Sequence, residues 1–148
     1  MKKQIVRLTA VLLGASLGLS AEAQMLSLHV ETPGTLSEAV AASGQEKYQI
    51  ASLKLTGELN GTDIAYVREM AGRAPNSYAT TEGILSEIDL SEVRIVEGGD
   101  SYFQYLSPVY AVTDKLGSFM FYYCENLTKV VLPLSLIHIS EPTRPEPI

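Results

Sequence analysis

Tryptophan is absent from the 148 residues, cysteine occurs once and histidine twice. The single thiol, Cys124, cannot close an internal bridge, so the fold must rest on packing rather than on a disulfide frame. It reads as a small buried apolar residue. There is no paired-cysteine pattern and no His-Glu-x-x-His, and from Gln24 onward there is no G-x-S-x-G and no phosphate-cradling glycine loop. Before the tail that begins at Leu134, a Ser/His/Asp or Cys/His site would have to use His29, which sits mid-strand between apolar neighbours and reads as a strand-surface histidine. Glu97, Asp100 and Asp114 do not have the spacing of a calcium loop and read as a solvated acidic stretch. The expectation is a protein that is not an enzyme and uses no cofactor and no metal.

Positive charge is also scarce. Between Gln24 and Pro133 there are 7 Lys plus Arg against 14 Asp plus Glu, a net of −7. Such a surface repels phosphate backbones and gains nothing from counterion release, so nucleic acid is excluded as the expected partner. Long apolar runs are missing as well. The longest, Leu8 to Leu19, is about a dozen residues where a spanning helix needs roughly 20. It follows Lys2, Lys3 and Arg7 and precedes Ala21-Glu22-Ala23, a small-x-small cleavage site before Gln24. Residues 1–23 therefore read as a secretory signal peptide, with no membrane insertion once it is removed.

What is present is hydrophobic periodicity. Leu26, Leu28 and Val30 alternate with Ser27 and His29 as in a half-buried strand. Thr35-Leu36-Ser37-Glu38 fits a capping box for a short helix that Ser43-Gly44 ends. A second strand is expected in YQIASLKLTG, with Ile50, Leu53 and Leu55 inward. Thr62 or Asp63 then caps a helix whose Ile64, Val67, Met70 and Ala71 share a stripe, and Gly72 stands at C′. RAPNSYATTEG reads as a polar loop. ILSEIDLSEVRIVEGG is another strand, with Ile88 and Leu90 inward and Val93 and Ile95 continuing the apolar line, and an irregular aromatic stretch follows up to Lys115. A short helical turn and a strand at 129–132 complete the pattern. SLKLTGEL, EIDLSEV and KVVLPLS share an apolar-x-apolar core at Leu53/Leu55, Ile88/Leu90 and Val130/Leu132. Their spacing is wider than the roughly 20 to 29 residues of ordinary leucine-rich units. Strand, return and strand again argue for parallel pairing.

LGSFMFYYCENLTKVVLP resembles the repeat of BspA-like leucine-rich repeat proteins, I-G-x-x-A-F-x-x-C-x-x-L-x-x-I-x-L-P. Leu116, Gly117, Met120, Phe121, Cys124, Leu127, Val130, Leu132 and Pro133 stand at its defined positions. Leu116 departs from Ile, and Met120 is larger than the usual Ala. The upstream stretch is similar to the N-terminal region of exported members. The resemblance implies an α/β solenoid: an N-terminal cap region over 24–72 and irregular repeats over 73–133. Phe121, Cys124, Leu127, Val130 and Leu132 would all point inward, and Leu116 would join them in the repeat core. It further implies an exported or cell-surface protein, with the periplasm as the other destination, that binds a protein or extracellular-matrix ligand. The alternative is a glycan-binding accessory module, for which Tyr102, Phe103, Tyr105 and Tyr110 are the candidate contacts. These four are weighed against a plain packing role in a structured insertion, and Tyr122 and Tyr123 are expected to be exposed.

LSLIHISEPTR, from Leu134 to Arg144, is similar instead to the conceptual translation of a sequencing-library adapter. On that reading residues 134–148 are not native and the repeats continue in the true chain. Asn60-Gly61-Thr62 and Asn126-Leu127-Thr128 match the N-glycosylation sequon, here read as coincidence.

Overall fold

The computed structural model describes residues 24–75, 78–104 and 106–136. The signal-peptide reading of 1–23, the tail from 137 on and Tyr105 lie outside these residues. The architecture is α/β: a four-stranded parallel sheet with few short helices. In chain order the elements are β1 (Leu26–Val30), α1 (Leu36–Ser43), a 3-10 turn (Lys47–Gln49), β2 (Ser52–Leu59) and α2 (Gly61–Met70). They continue with β3 (Glu87–Ile95), the two-residue strands β4 (Phe103–Gln104) and β5 (Pro108–Val109), and β6 (Lys129–Val131).

The sheet runs β1-β2-β3-β6, every pairing parallel, while β4 and β5 form a separate antiparallel hairpin. One register row carries Leu26, Leu53, Ile88 and Val130 side by side, and Leu28 faces Leu55 in another. The alternation that marked these strands places those side chains on the inner face. Leu53, Leu55, Ile88 and Leu90 are buried, each contributing about 1.5 to 3 kcal/mol. Between Leu90 and Val93 the inward positions are three apart. The sheet accommodates this by a bulge in which Lys54 and Thr56 of β2 face Asp89 and Glu92 of β3. Both halves of β3 thus keep an apolar side chain inside.

The helices are stopped as expected by Gly44 (φ 81°) and Gly72 (φ 96°), but they start differently. Thr35 does not cap α1, because its hydroxyl donates to the Thr32 carbonyl. The cap of α2 is Asn60, whose Oδ1 accepts from the Thr62 and Asp63 amides. Asp63 completes the box from N3 by accepting from the Asn60 amide at 3.0 Å. The same carboxylate accepts from Gly34 at 2.6 Å and Leu36 at 2.9 Å, so α2 supplies the anchor that α1 lacks in its own sequence.

The repeat-like segment departs from the expected helical turn. Residues 117–127 form successive turns closed by i to i−3 bonds, with Phe119 (φ 61°) and Tyr123 (φ 63°) left-handed. Met120 and Cys124 are buried, while Phe121, Leu127, Val130 and Leu132 are half-buried against the core. Leu116 is 42% exposed, contrary to its expected inward place. At the next residue the Tyr102 hydroxyl, which donates to the Ser118 carbonyl, abuts Gly117 so closely that no Cβ would fit there. Past Pro133, Leu134 is exposed, but Leu136 is buried and its amide donates to the Pro133 carbonyl. An apolar side chain there meets the apolar end of the core.

Candidate aromatic binding surface

The irregular stretch after β3 turns two of its four candidate aromatics inward, in the packing role weighed against partner contact. Tyr102 and Phe103 are fully buried, so neither offers contact area to a partner. The physical reason is the hairpin: Phe103 pairs with Val109, the Tyr102 amide donates to the Val109 carbonyl, and both rings turn under the loop. Tyr110 is 53% exposed.

The exposed aromatic surface forms elsewhere. Tyr78, Tyr122 and Tyr123, each between 41% and 48% exposed, assemble around the buried Phe103. Tyr78 meets Phe103 and Tyr123 edge-on, with ring centres 6.0 and 5.5 Å apart. Tyr122 meets Phe103 edge-on at 5.8 Å and lies 4.4 Å from Tyr123. Phe119 stacks on Phe103 at 5.3 Å. Contacts of this kind are each worth about 0.5 to 1.5 kcal/mol beyond burial.

Two arginines at the end of α2 hold this cluster. Arg68 is completely buried, and its NH1 donates to the Phe119 and Met120 carbonyls at 3.1 and 3.2 Å. Its guanidinium carbon lies 4.8 Å from the centre of the Phe103 ring. Its Nε and NH2 are buried and find no hydrogen-bond partner among the described residues, and desolvation pulls the guanidinium below its ordinary value. Arg73 donates from Nε to the Tyr123 carbonyl at 3.1 Å and from NH1 to the Tyr78 carbonyl at 2.6 Å. Its NH2 lies 3.7 Å from Glu125. One side chain therefore ties the two loops that carry the exposed rings.

Beside the rings is a cleft of about 230 Å³ lined by Arg73, Thr80, Thr81, Tyr123, Glu125 and Asn126, together with Ala71 and Gly72. Asn126 directs its amide hydrogens at the Ala71 and Gly83 carbonyls, and Asn60 is committed to its helix cap. Both sequon asparagines are thus structural.

The other candidates resolve as follows. His29 shares a 2.9 Å hydrogen bond with the Thr56 hydroxyl on the outer face of the sheet. That face is polar throughout its centre, with Lys54 bonded to Glu92 at 2.9 Å and Arg94 bonded to Asp114 at 3.0 Å. Glu97, Asp100 and Asp114 do not converge: Asp114 serves Arg94 and Asp100 pairs with Thr62. Among the described residues no group of three His, Cys, Asp or Glu side chains is placed to hold a metal ion. Likewise no helix among them is long and apolar enough to cross a membrane.

Cys124 is buried, and burial pushes its thiol above its ordinary value of 9.0. Because the folded thiol holds its proton more tightly than the unfolded one, its contribution to stability is complete below pH 9.0 and falls as pH rises above that. A thiol reagent at pH near 8 is expected to label Cys124 slowly in the folded chain and fully in denaturant. Immediate labelling of the folded chain would place the sulfur outside the core.

Sequence reasoning missed Tyr78 and Arg73, because the loop holding them was read only as polar and rich in turn residues. Tyr122 and Tyr123 were legible, since they flank the inward positions of the repeat pattern. No protein-family model matches the chain, and a search of curated proteins finds no match.

Proposed function

We propose that this chain belongs to an exported, non-catalytic protein of leucine-rich-repeat type that binds another protein or a matrix component at the cell surface. The observation that carries this reading is the sheet: β1, β2, β3 and β6 pair in parallel in the order of the chain, with an apolar inner row at Leu26, Leu53, Ile88 and Val130. A chain that lays each strand beside the previous one builds outward, as a solenoid does, and keeps one face open for contact. Residues 24–72 act as the N-terminal cap region and 73–133 as irregular repeats with inserted loops. The outer face is polar and charged, as a solvated contact surface requires, and β6 uses one edge to pair with β3.

The test has two readouts on the full chain. The form recovered outside the cell is expected to begin at Gln24, and a secreted form still starting at Met1 overturns the export reading. Purified extracellular-matrix proteins, immobilised one by one, are expected to include at least one that binds saturably. Replacing Lys54 and Arg94 by Glu should weaken that binding. Absence of binding across the panel, or turnover of a panel member, overturns the reading.

A second reading, a glycan-binding module, is favoured by one observation: the half-exposed Tyr123, in contact with the rings of Tyr78 and Tyr122, lines a polar cleft.

A further inference from the structure

We infer that Gln24 is a modification site: once it is the first residue of the exported chain, it closes on itself to a pyroglutamyl lactam. This rests on the export reading, under which cleavage after Ala21-Glu22-Ala23 leaves Gln24 first.

The chemistry belongs to the residue type. In an N-terminal glutamine the α-nitrogen, Cα, Cβ, Cγ and Cδ form a five-membered ring when the nitrogen reaches the side-chain amide carbon. An α-amine is partly unprotonated near neutral pH, so the nucleophile is at hand. The attack is intramolecular and needs no second reactant. A bond forms from the α-nitrogen to Cδ, the Cδ–Nε2 bond breaks, and ammonia leaves with the proton that the α-nitrogen gives up. Nothing is oxidised or reduced.

The structure supplies what the residue type alone does not, namely freedom to close and surroundings that suit the product. β1 begins at Leu26, and its pairing with β2 starts there with Leu26 opposite Leu53, so Gln24 stands two positions outside the ladder. It is exposed, and among the described residues nothing holds its side-chain amide. Ring closure therefore breaks no pairing of the sheet and moves no packed side chain. Gln24 and Met25 border an open cleft of about 270 Å³ that is also lined by Gln45 and Gln49. None of the residues lining that cleft is charged. A terminal ammonium finds no carboxylate there, whereas the lactam is neutral and presents an N–H and a C=O, the groups that side-chain amides pair with.

The position gives the modification a consequence. β1 is an edge strand of the sheet, and its Leu26 and Leu28 pack against the core. An exopeptidase that recognises a free terminal amine would reach β1 after removing two residues. The lactam leaves no such amine, so the edge strand is closed to trimming from its free end.

The test is mass analysis of the full chain, expressed with its leader and recovered outside the cell. The terminal peptide is expected to start at residue 24, to be lighter than its unmodified form by one ammonia, and to resist reductive methylation of an α-amine. Gln24→Asn, whose closure would need a four-membered ring, should keep an amine that methylates. A general aminopeptidase should shorten the Gln24→Asn chain and leave the wild type at full length, with equal unfolding midpoints showing that folding is not the difference. A free Gln24 amine that persists through prolonged incubation at neutral pH overturns the inference and leaves the export reading standing. Equal trimming of wild type and variant also overturns it. A recovered chain that still starts at Met1 overturns both the inference and the export reading.

Discussion

Replacing Asp63 by Ala is expected to destabilise the chain by about 3 to 5 kcal/mol, most of what a small domain has to lose. The carboxylate is buried and accepts from three backbone amides: Gly34, Leu36 and Asn60. Two of these belong to the start of α1 and one to the cap of α2. Alanine leaves all three N–H groups without this partner, those of Leu36 and Asn60 in buried surroundings and that of Gly34 half-buried. Asn would keep one acceptor oxygen but point an amide hydrogen at donors, so Asp63→Asn should lose roughly half as much. Urea unfolding measures the size of the effect. Amide exchange shows its location: protection at Gly34 and Leu36 should vanish while the β2–β3 amides remain protected. A loss below about 1 kcal/mol would mean that the three bonds do not act together.

The second large effect is at Arg68. Arg68→Ala removes the donor to the Phe119 and Met120 carbonyls and empties the volume of a completely buried side chain. Orphaned acceptors and an unfilled cavity together cost about 3 to 5 kcal/mol. Arg68→Met tests a different part of the same account. It keeps most of the stem, loses the two hydrogen bonds, and also removes a charge whose Nε and NH2 find no hydrogen-bond partner among the described residues. Replacing a poorly compensated buried charge by an apolar group of similar length is often close to neutral, so Met should cost clearly less than Ala, about 1 to 2 kcal/mol. If Met and Ala are equally damaging, the hydrogen bonds to the strained turn dominate and packing is secondary. Either way the exposed tyrosines should lose order, since the carbonyls that fix Phe119 and Met120 are released. Near-ultraviolet circular dichroism, which reads tyrosine environments, should fall more in both variants than the far-ultraviolet signal does.

Much of the sheet was legible because a strand repeats every two residues, and burial on one face writes that period directly into the chain. Leu26, Leu53, Ile88 and Val130 were identifiable as inward positions without knowing what they would face. Even the bulge left a trace, in the spacing of three between Leu90 and Val93. The glycine stops at Gly44 and Gly72 followed from backbone freedom alone. The caps were only half legible. Asp63 could be recognised as a residue at the start of α2, but its bonds to Gly34 and Leu36 join groups more than two dozen positions away.

The candidate site was less visible for the same reason. Tyr102 and Phe103 looked like Tyr122 and Tyr123 by composition, and their opposite exposures come from a two-residue hairpin and a pair of left-handed backbone angles. Leu116 matched a core position in the repeat pattern yet is exposed, and its neighbour Gly117 lies against Tyr102 from an inserted loop. Arg68 and Arg73 would each pass for surface charges of a helix end, yet one is fully buried and both are turned toward carbonyls about fifty residues on.

Local period and local backbone preference therefore settled where the strands and helix stops lie and which of their side chains face inward, since those quantities depend on neighbours within a few residues. Which aromatics reach solvent, which acid anchors α1 and which arginines hold the turn were decided by the meeting of distant segments. Such contacts depend on volume and on unpaired backbone groups that exist only once the chain has closed on itself.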